Sequence, residues 1–149
     1  MKKETTGAEW LARTIFESKI THVFWVDSIL RNTLIELGVL GVTRVLTHSE
    51  AAAAYMADGY ARISGLPGIC LAQSVGAANL SAGLQDAYLA HSPVIAVTGR
   101  KLPSHQHRNA YQEIAHSPSF SKVTKFSAEV DSADSLPRAF RQAWTSATT

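Results

Sequence analysis

The sequence predicts an α/β protein with three α/β/α layers, built on a mostly parallel, doubly wound sheet. Two observations lead to this prediction. Short apolar runs suit buried strands, and segments with helical periodicity alternate with them along the chain. Such βαβ units place helices on both faces of a sheet. Because the chain has 149 residues, we expect a single domain over 1–149 with a substantial core.

The first part of the chain predicts a helix, a strand and a second helix. Residues 6–20 form an amphipathic pattern, with apolar side chains near one face. HVFWV at 22–26 is a short apolar run that suits a buried strand. Residues 28–38 predict the second helix, and Gly38 is expected to be its C-cap.

The middle of the chain predicts two more strands around an alanine-rich helix. TRVLT at 43–47 is the second strand, and the helix follows over 50–64. Gly65 and Pro67 are typical of the end of a helix. GICLAQ at 68–73 is the third strand.

The last part of the chain continues the alternation, with one long interruption. A helix over 80–90 precedes the fourth strand, PVIAVTG at 93–99. Residues 100–121 are polar and rich in histidine. A fifth, weaker strand is predicted within 122–130, and a final helix over 134–147 has apolar residues spaced by four.

Three unusual stretches follow the ends of predicted strands. Glu50 follows the second strand, residues 74–79 follow the third, and the 100–121 segment follows the fourth. In open parallel sheets, ligands bind at the carboxyl ends of the strands. We therefore expect these stretches to meet along one rim of the sheet.

Glu50 opens a helix whose next charged residue is Asp58. One interpretation is structural, because Thr47 and Glu50 have the T-x-x-E spacing of a capping box and a carboxylate is favoured in the first turn. The other is chemical, with Glu50 acting on a ligand at the rim. The local pattern favours capping and leaves the chemical role open.

The turn between the third strand and the next helix contains small residues. Gly76 permits close approach of the backbone, and N–H groups at a helix start can bind an anion or a ring nitrogen. Tight strand–helix packing without a ligand is the alternative. The candidate binding residues are Ser74, Val75, Gly76, Ala77 and Asn79.

The segment 100–113 combines cations with histidines. It is interpreted as a solvated loop or as a loop that meets an anionic substrate. The H-x-H spacing of His105 and His107 does not predict a metal site, because no cysteine or acidic ligand lies close by in the sequence. Metal ligands are therefore not expected in this chain.

Composition limits the function classes. The formal net charge of +2 is too small to predict nucleic-acid binding. No apolar run is long enough to span a bilayer, and no apolar segment follows the first lysines as in a secretory leader. Cys70 is the only cysteine, so an intrachain disulfide is impossible and a cytoplasmic setting is expected.

Six ordered motifs resemble the amino-terminal, pyrimidine-binding domain of thiamine diphosphate-dependent enzymes, and acetolactate synthase and its relatives most of all. The resemblance extends from about residue 8 onward. The motifs are HSE at 48–50, ADGYAR at 57–62, PGIC at 67–70, GAANL at 76–80, PVIAVTG at 93–99 and YQE at 111–113.

The resemblance implies a catalytic role for Glu50. In this family, a glutamate at this place in the motif hydrogen-bonds the pyrimidine ring of thiamine diphosphate and promotes the tautomer that activates the cofactor. It also implies that the 74–79 turn binds the cofactor and that the alanine-rich helix contacts a second subunit, so a homo-oligomer is expected. The substrate would be a small 2-oxo acid, cleaved or ligated by a lyase or transferase.

Some residues depart from the family pattern on the side where the substrate is expected. The turn at 74–79 is one residue shorter than the usual S-G-P-G-A-T-N, and VDSI at 26–29 replaces a glycine-rich turn. Acetolactate synthesis itself is therefore not predicted. The candidate substrate-side residues are Asp27, Ser28, His107 and Gln112.

The resemblance also implies a partner, because family enzymes hold Mg²⁺ and the diphosphate with a G-D-G…N motif in a second domain or subunit. This sequence has no such motif and ends before the family's usual final strand. We expect either a truncated chain or a natural split subunit, inactive alone. The alternative is a non-catalytic binding module that keeps the fold.

Overall fold

A computed structural model of the chain describes residues 4–27 and 30–149. Within them, four strands form one sheet in the order β2-β1-β3-β4, and every neighbouring pair is parallel. The predicted α/β/α class with a parallel, doubly wound sheet is confirmed. The strands are β1 His22–Trp25, β2 Thr43–Leu46, β3 Gly68–Gln73 and β4 Val94–Gly99.

The helices lie on both faces of this sheet. A short 3₁₀ turn over Pro103–His105 interrupts the segment that follows β4. The α-helices are α1 Gly7–Glu17, α2 Arg31–Val39, α3 Glu50–Ser64, α4 Gly76–Leu89, α5 His116–Phe120 and α6 Leu136–Thr148.

Two apolar clusters hold the layers together. One combines α1, α2 and α6 with the sheet residues Val23, Ile69 and Leu71. The other combines α3, α4 and α5 with Phe24, Cys70 and Ala72. Successive strand residues point to opposite faces, so neighbours such as Ile69 and Cys70 enter different clusters. The continuous burial of β3 is typical of a strand covered on both faces.

Helix ends differ from the sequence prediction in two places. The prediction of Gly38 as a C-cap was wrong, because α2 continues to Val39 and the left-handed backbone lies at Gly41, with φ of 84°. Helix α4 begins at Gly76, four residues before the predicted start at Leu80. Gly65 does end α3 with left-handed φ, as predicted.

The predicted fifth strand within 122–130 was wrong, since those residues form no strand. Residues 123–131 and β4 line the same cavity, of about 820 Å³. Among the described residues, β4 therefore pairs with β3 alone.

None of the described helices is both long and apolar enough to cross a membrane.

Candidate functional site

The carboxyl ends of the four parallel strands meet at one edge of the sheet, which we call the rim. Asp27 follows β1, Glu50 follows β2 after a short turn, Ser74 follows β3 directly and Arg100 follows β4 directly. The sequence prediction that the unusual stretches share one edge is confirmed for these connections. The rim is where open parallel sheets place their ligands.

Glu50 is the first residue of α3, but it is not part of a capping box with Thr47. Ser49 is the N-cap, and its side chain accepts a hydrogen bond from the N–H of Ala52 at 3.2 Å. The Thr47 hydroxyl instead lies 2.8 Å from the carbonyl oxygen of Ser49. The capping interpretation of the T-x-x-E spacing was therefore wrong.

The Glu50 carboxylate is directed toward the start of α4. Its Oε2 atom accepts a hydrogen bond from Nδ2 of Asn79 at 3.2 Å. A Cβ built on Gly76 would lie 2.5 Å from Oε1 of Glu50, so the carboxylate fills the space that a side chain would need. Glu50 thus lies beside Gly76 on the rim, as the motif order predicts.

The close packing of α3 on α4 brings Glu50 and Asn79 together. Ala53, Ala54 and Ala57 are fully buried. A Cβ on Gly83 of α4 would lie 2.6 Å from the carbonyl oxygen of Ala51. Small residues on both helices permit the short distance between α3 and α4. A charged side chain would not fit between them, which explains why the inner face of α3 has so few charges.

The outer face of α3 is different. Its exposed side chains include Tyr55, Met56 and Ile63, and Ile63 is 91% exposed. Asp58 lies between the two faces, is buried, and forms two hydrogen bonds with Arg62, each at 2.9 Å. Burial raises the pKa of Asp58, but hydrogen bonds from Arg62 and Ser92 and the Arg62 charge outweigh it, so the pKa is lowered.

The turn after β3 has a constrained backbone. Ser74 is buried and has a left-handed φ of 41°, which is uncommon for a residue other than glycine. Its N–H donates to the carbonyl of Gly99 at 2.8 Å, and its carbonyl accepts from the N–H of Ala77 at 3.0 Å. These bonds tie the ends of β3 and β4 to the first turn of α4.

The candidate binding residues of this turn lie in different environments. Ala77 is fully buried, while Val75 is 44% exposed and Asn79 is also exposed. Within the described residues, the N–H groups of Val75 and Gly76 have no backbone acceptor. They are the donors that this turn can offer to a ligand at the rim.

A second part of the rim is a cavity of about 350 Å³, which we call the loop cavity. It lies under the segment that follows β4. His107 and Gln112, two of the predicted substrate-side residues, line it. Its wall also includes Ser74, Arg100, Lys101 and His116.

The other two predicted substrate-side residues are not in this cavity. Asp27 lies at the end of β1 and forms an exposed ion pair with Arg31, with 2.6 Å between Oδ2 and the guanidinium. Ser28 lies outside the described residues.

Sequence analysis missed His116. It is the first residue of α5 and is 6% exposed. Its Nδ1 atom lies 2.9 Å from the hydroxyl of Thr98, and within 4–27 and 30–149 its buried Nε2 atom has no hydrogen-bond partner. Burial and the charge of Arg100 lower the pKa of His116, while Glu129 raises it by less. Nothing in the local sequence separates this histidine from its exposed neighbours His105 and His107.

Among the described residues, three or more His, Cys, Asp or Glu side chains do not come close enough together to hold a metal ion.

Comparison with known proteins identifies the family of this chain. Residues 5–119 match the family described as thiamine pyrophosphate enzyme, N-terminal TPP binding domain. The chain belongs to this family. The predicted likeness to the amino-terminal domain of acetolactate synthases is therefore confirmed.

The curated relatives that this chain matches are longer proteins named as acetolactate synthases. A probable acetolactate synthase large subunit of Methanocaldococcus jannaschii is 40% identical over 109 residues, which are 72% of this chain and 18% of that protein. Acetolactate synthase of Bacillus subtilis is 30% identical over 140 residues, covering 93% of this chain and 25% of that enzyme. Acetolactate synthase isozyme 2 large subunit of Escherichia coli is 34% identical, covering 93% and 26%. The chain thus spans about a quarter or less of these relatives.

The description of the family names thiamine pyrophosphate, whose pyrimidine ring has to fit the residues of the rim. A pyrimidine ring needs a carboxylate that can reach a ring nitrogen, and Glu50 is partly exposed with its carboxylate at the start of α4. Because Gly76 has no side chain, the space beside it is free for that carboxylate. The residues present fit the ring portion of thiamine diphosphate.

Proposed function

We propose that this chain is the pyrimidine-binding part of a thiamine diphosphate-dependent enzyme that cleaves or ligates small 2-oxo acids. The whole of 1–149 would form this single domain. The observation that supports the proposal most is the position of Glu50, whose carboxylate lies on the rim, beside Gly76, within hydrogen-bond distance of Asn79. The family membership supports thiamine diphosphate as the ligand of that carboxylate.

Glu50 is the proposed catalytic residue. Thiamine diphosphate, when bound, supplies the carbanion chemistry that breaks the bond next to a 2-oxo group. Glu50 would accept a hydrogen bond from the pyrimidine ring and hold a proton at that ring nitrogen. Asn79 would orient the carboxylate through its amide. The backbone of residues 74–77 would contact the ring from the adjacent turn.

A second domain or subunit is part of this proposal. It would hold Mg²⁺ and the diphosphate, for which octahedral oxygen ligands are needed. The support is the length of the relatives, of which this chain spans 18–26% in the three cases above. The remaining part of such an enzyme has room for a diphosphate-binding domain.

Assembly with a second copy is also proposed. The outer face of α3 carries Tyr55, Met56 and Ile63, which are all exposed apolar side chains of large size. Large apolar side chains that are exposed together on one helix are typical of interaction sites. A subunit contact there would shield these side chains on the helix that begins with Glu50.

The substrate side of the site is proposed to include His107 and Gln112, which line the loop cavity beside Ser74. For Asp27 the structure offers less support, because its carboxylate pairs with Arg31.

The test compares the chain alone with the assembled enzyme. One charge-assisted hydrogen bond contributes about 1.5–3 kcal/mol, and association costs at least about 4 kcal/mol in lost freedom. The chain alone should therefore bind thiamine diphosphate at about millimolar affinity or weaker. Titration calorimetry with Mg²⁺ measures this, and micromolar binding by the chain alone would contradict the half-site proposal.

Activity is then measured with a partner that carries the diphosphate-binding domain, using decarboxylation of pyruvate as the assay. Glu50→Gln should remove most of the activity and leave the thermal unfolding curve unchanged. Glu17→Gln, on the exposed end of α1, is the matched control and should keep full activity. Full activity in Glu50→Gln would exclude the proposed role, and absence of activity with every partner would favour a non-catalytic module.

A further inference from the structure

The two predicted substrate-side residues that line the loop cavity, His107 and Gln112, share an uncommon backbone conformation. Both have a left-handed φ, 61° at His107 and 59° at Gln112, and Asn109 between them has a φ of 51°. Residues with a side chain seldom adopt this conformation, and it persists where the surrounding structure enforces it. The direction in which His107 and Gln112 leave the backbone therefore depends on what holds this loop.

The side chain of Glu113 holds the loop. Its Oε1 atom accepts a hydrogen bond from the backbone N–H of His107 at 2.5 Å, and its Oε2 atom accepts one from the N–H of Ala110 at 3.1 Å. The backbone N–H of Glu113 donates in turn to the carbonyl oxygen of Ala110 at 3.0 Å. One side chain thus ties together residues 107–113, which form neither helix nor strand.

The ionised form of Glu113 suits this role. It is the only acidic residue in the cation-rich segment 100–121. The hydrogen bond from His107 lowers the pKa of Glu113 most, partial burial raises it by less, and the bonds from Ala110 and Arg108 lower it further. A carboxylate has two acceptor oxygens, whereas the amide of a glutamine has one, and its NH₂ group would face a backbone N–H donor. The loop therefore requires a carboxylate at this position.

The preceding part of the loop has anchors of its own. The Nε2 atom of Gln106 donates to the carbonyl oxygen of Lys101 at 2.7 Å, and its Oε1 atom accepts a hydrogen bond from the guanidinium group of Arg100. These bonds do not involve Glu113. Loss of the Glu113 carboxylate should therefore release the residues that follow Gln106 and leave the start of the loop in place.

We propose that Glu113 is a positioning residue for the substrate. Its carboxylate holds residues 107–113 in the backbone conformation that places His107 and Gln112 in the wall of the loop cavity. This inference rests on the proposed function, in which the loop cavity is the substrate side of the site. Since both oxygens of Glu113 accept hydrogen bonds from the backbone, Glu113 acts through the loop and not on the reacting atoms.

The first measurement uses the chain alone, labelled with ¹⁵N, and compares it with Glu113→Gln. We expect a downfield amide proton at His107 in the unmodified chain, because its N–H donates a short hydrogen bond to a carboxylate. In Glu113→Gln this resonance should move upfield, and the proton should exchange with water about tenfold faster or more. The amides of β1 and β3 should not change. Glu17→Gln, on the exposed end of α1, is the control and should leave the His107 amide as it is. An unchanged His107 amide in Glu113→Gln, or an equal loss of protection in the strands, would overturn the inference.

The second measurement uses the enzyme assembled with a partner that carries the diphosphate-binding domain, with pyruvate as substrate. Glu113→Gln should raise the KM for pyruvate about tenfold or more, because the residues that contact the substrate are displaced, and should change kcat by less than about threefold. The affinity for thiamine diphosphate should not change, since Glu50 and Asn79 do not line the loop cavity.

The possible failures can be told apart. An unchanged KM in a fully active Glu113→Gln enzyme would overturn the inference and leave the proposed function standing. Absence of activity with every partner, in the unmodified chain, would count against the proposed function. The His107 amide then supports or overturns the role of Glu113 in the loop by itself, because that measurement needs neither partner nor cofactor.

Discussion

The carboxylate of Glu50 occupies the space in which residue 76 would carry a Cβ atom. The ideal Cβ position at Gly76 lies 2.5 Å from Oε1 and 3.0 Å from Cδ of Glu50. No real Cβ atom approaches an oxygen so closely, so a side chain at position 76 must displace the glutamate. The two residues are 26 positions apart in the sequence. The carboxylate of Glu50 can keep this position only while residue 76 is glycine.

This pairing gives the first prediction. Gly76→Ala should move the Glu50 carboxylate away from Asn79, because the added methyl group and Oε1 cannot both remain. In the proposed assembled enzyme, activity should fall at least about tenfold, since displacing the proposed catalytic carboxylate by about 1 Å loses that much or more. Steady-state kinetics and thermal unfolding are measured together. The control is Gly7→Ala, because a Cβ at Gly7 makes only ordinary contacts, the nearest at 3.5 Å from Leu136; activity equal to that control would contradict the prediction.

The second prediction concerns the contact between α3 and α4. Gly83→Ala places a Cβ 2.6 Å from the carbonyl oxygen of Ala51, a backbone atom that cannot rotate away. Overpacking of this kind costs about 1–3 kcal/mol. Gly59→Ala, in the exposed part of α3, should instead stabilise the chain by about 0.5–1 kcal/mol. Urea unfolding monitored by circular dichroism measures both, and a neutral Gly83→Ala would show that the helices are farther apart than described.

The third prediction compares two aspartate–arginine pairs with the same spacing of four residues. Asp58 is buried, whereas Asp27 is 63% exposed. Asp58→Asn should destabilise the chain by about 1–3 kcal/mol at pH 7, and Asp27→Asn by less than about 1 kcal/mol, since exposed pairs contribute little. Equal effects of the two substitutions would contradict the structure.

The effect of Asp58 should depend on pH in a defined direction. Its pKa is lowered in the folded chain from the ordinary 3.8, so its contribution is complete above that value. The contribution is lost as the pH falls from 3.8 through the folded-state pKa. The difference in unfolding free energy between the original chain and Asp58→Asn should therefore shrink on acidification below pH 3.8. A difference that grows on acidification would have the wrong sign.

The fourth prediction is that Cys70 is unreactive in the folded state. Its side chain is fully buried in β3, and burial raises the pKa of its thiol to about 12. Since the thiolate is the reactive form, labelling with a disulfide reagent at pH 8 should require unfolding. The labelling rate should rise with denaturant in parallel with the circular dichroism signal. Rapid labelling in native buffer would show that β3 opens locally.

The sequence contains most of the information about the architecture. The four strands appear as apolar runs, and Gly65 ends α3 where its left-handed backbone allows it. The rule that ligands meet the carboxyl ends of parallel strands then brings Glu50 and Gly76 together before any coordinates are known. These predictions succeed because each depends on a local pattern and one general rule.

The predictions that failed depend on tertiary structure. Ser49 caps α3 in place of Thr47, because Thr47 hydrogen-bonds the carbonyl oxygens of Trp25 and Ser49. The early start of α4 follows from the left-handed backbone at Ser74, a residue for which sequence predicts no such turn. The burial of His116 results from the position of α5, and periodicity over five residues cannot show it.

The pattern at 122–130 illustrates the same limit for strands. Alternating apolar residues describe a chain that can pair, but pairing also needs an edge within reach. Here the segment and β4 line the same cavity of about 820 Å³, and within the described residues they form no strand pair. The sequence of 122–130 shows that these residues favour an extended backbone, but it does not show whether a neighbouring strand is available to pair with them.

The open side of β4 has a consequence for how the isolated chain behaves at high concentration. VIAVTG, residues 94–99, contains no charge and no proline, and its outer backbone groups pair with no described strand. Strand edges of this composition recruit other chains into intermolecular sheets, which can grow into fibrils, when the chain that covers them moves away during partial unfolding. Refolding at low concentration should keep such preparations monodisperse.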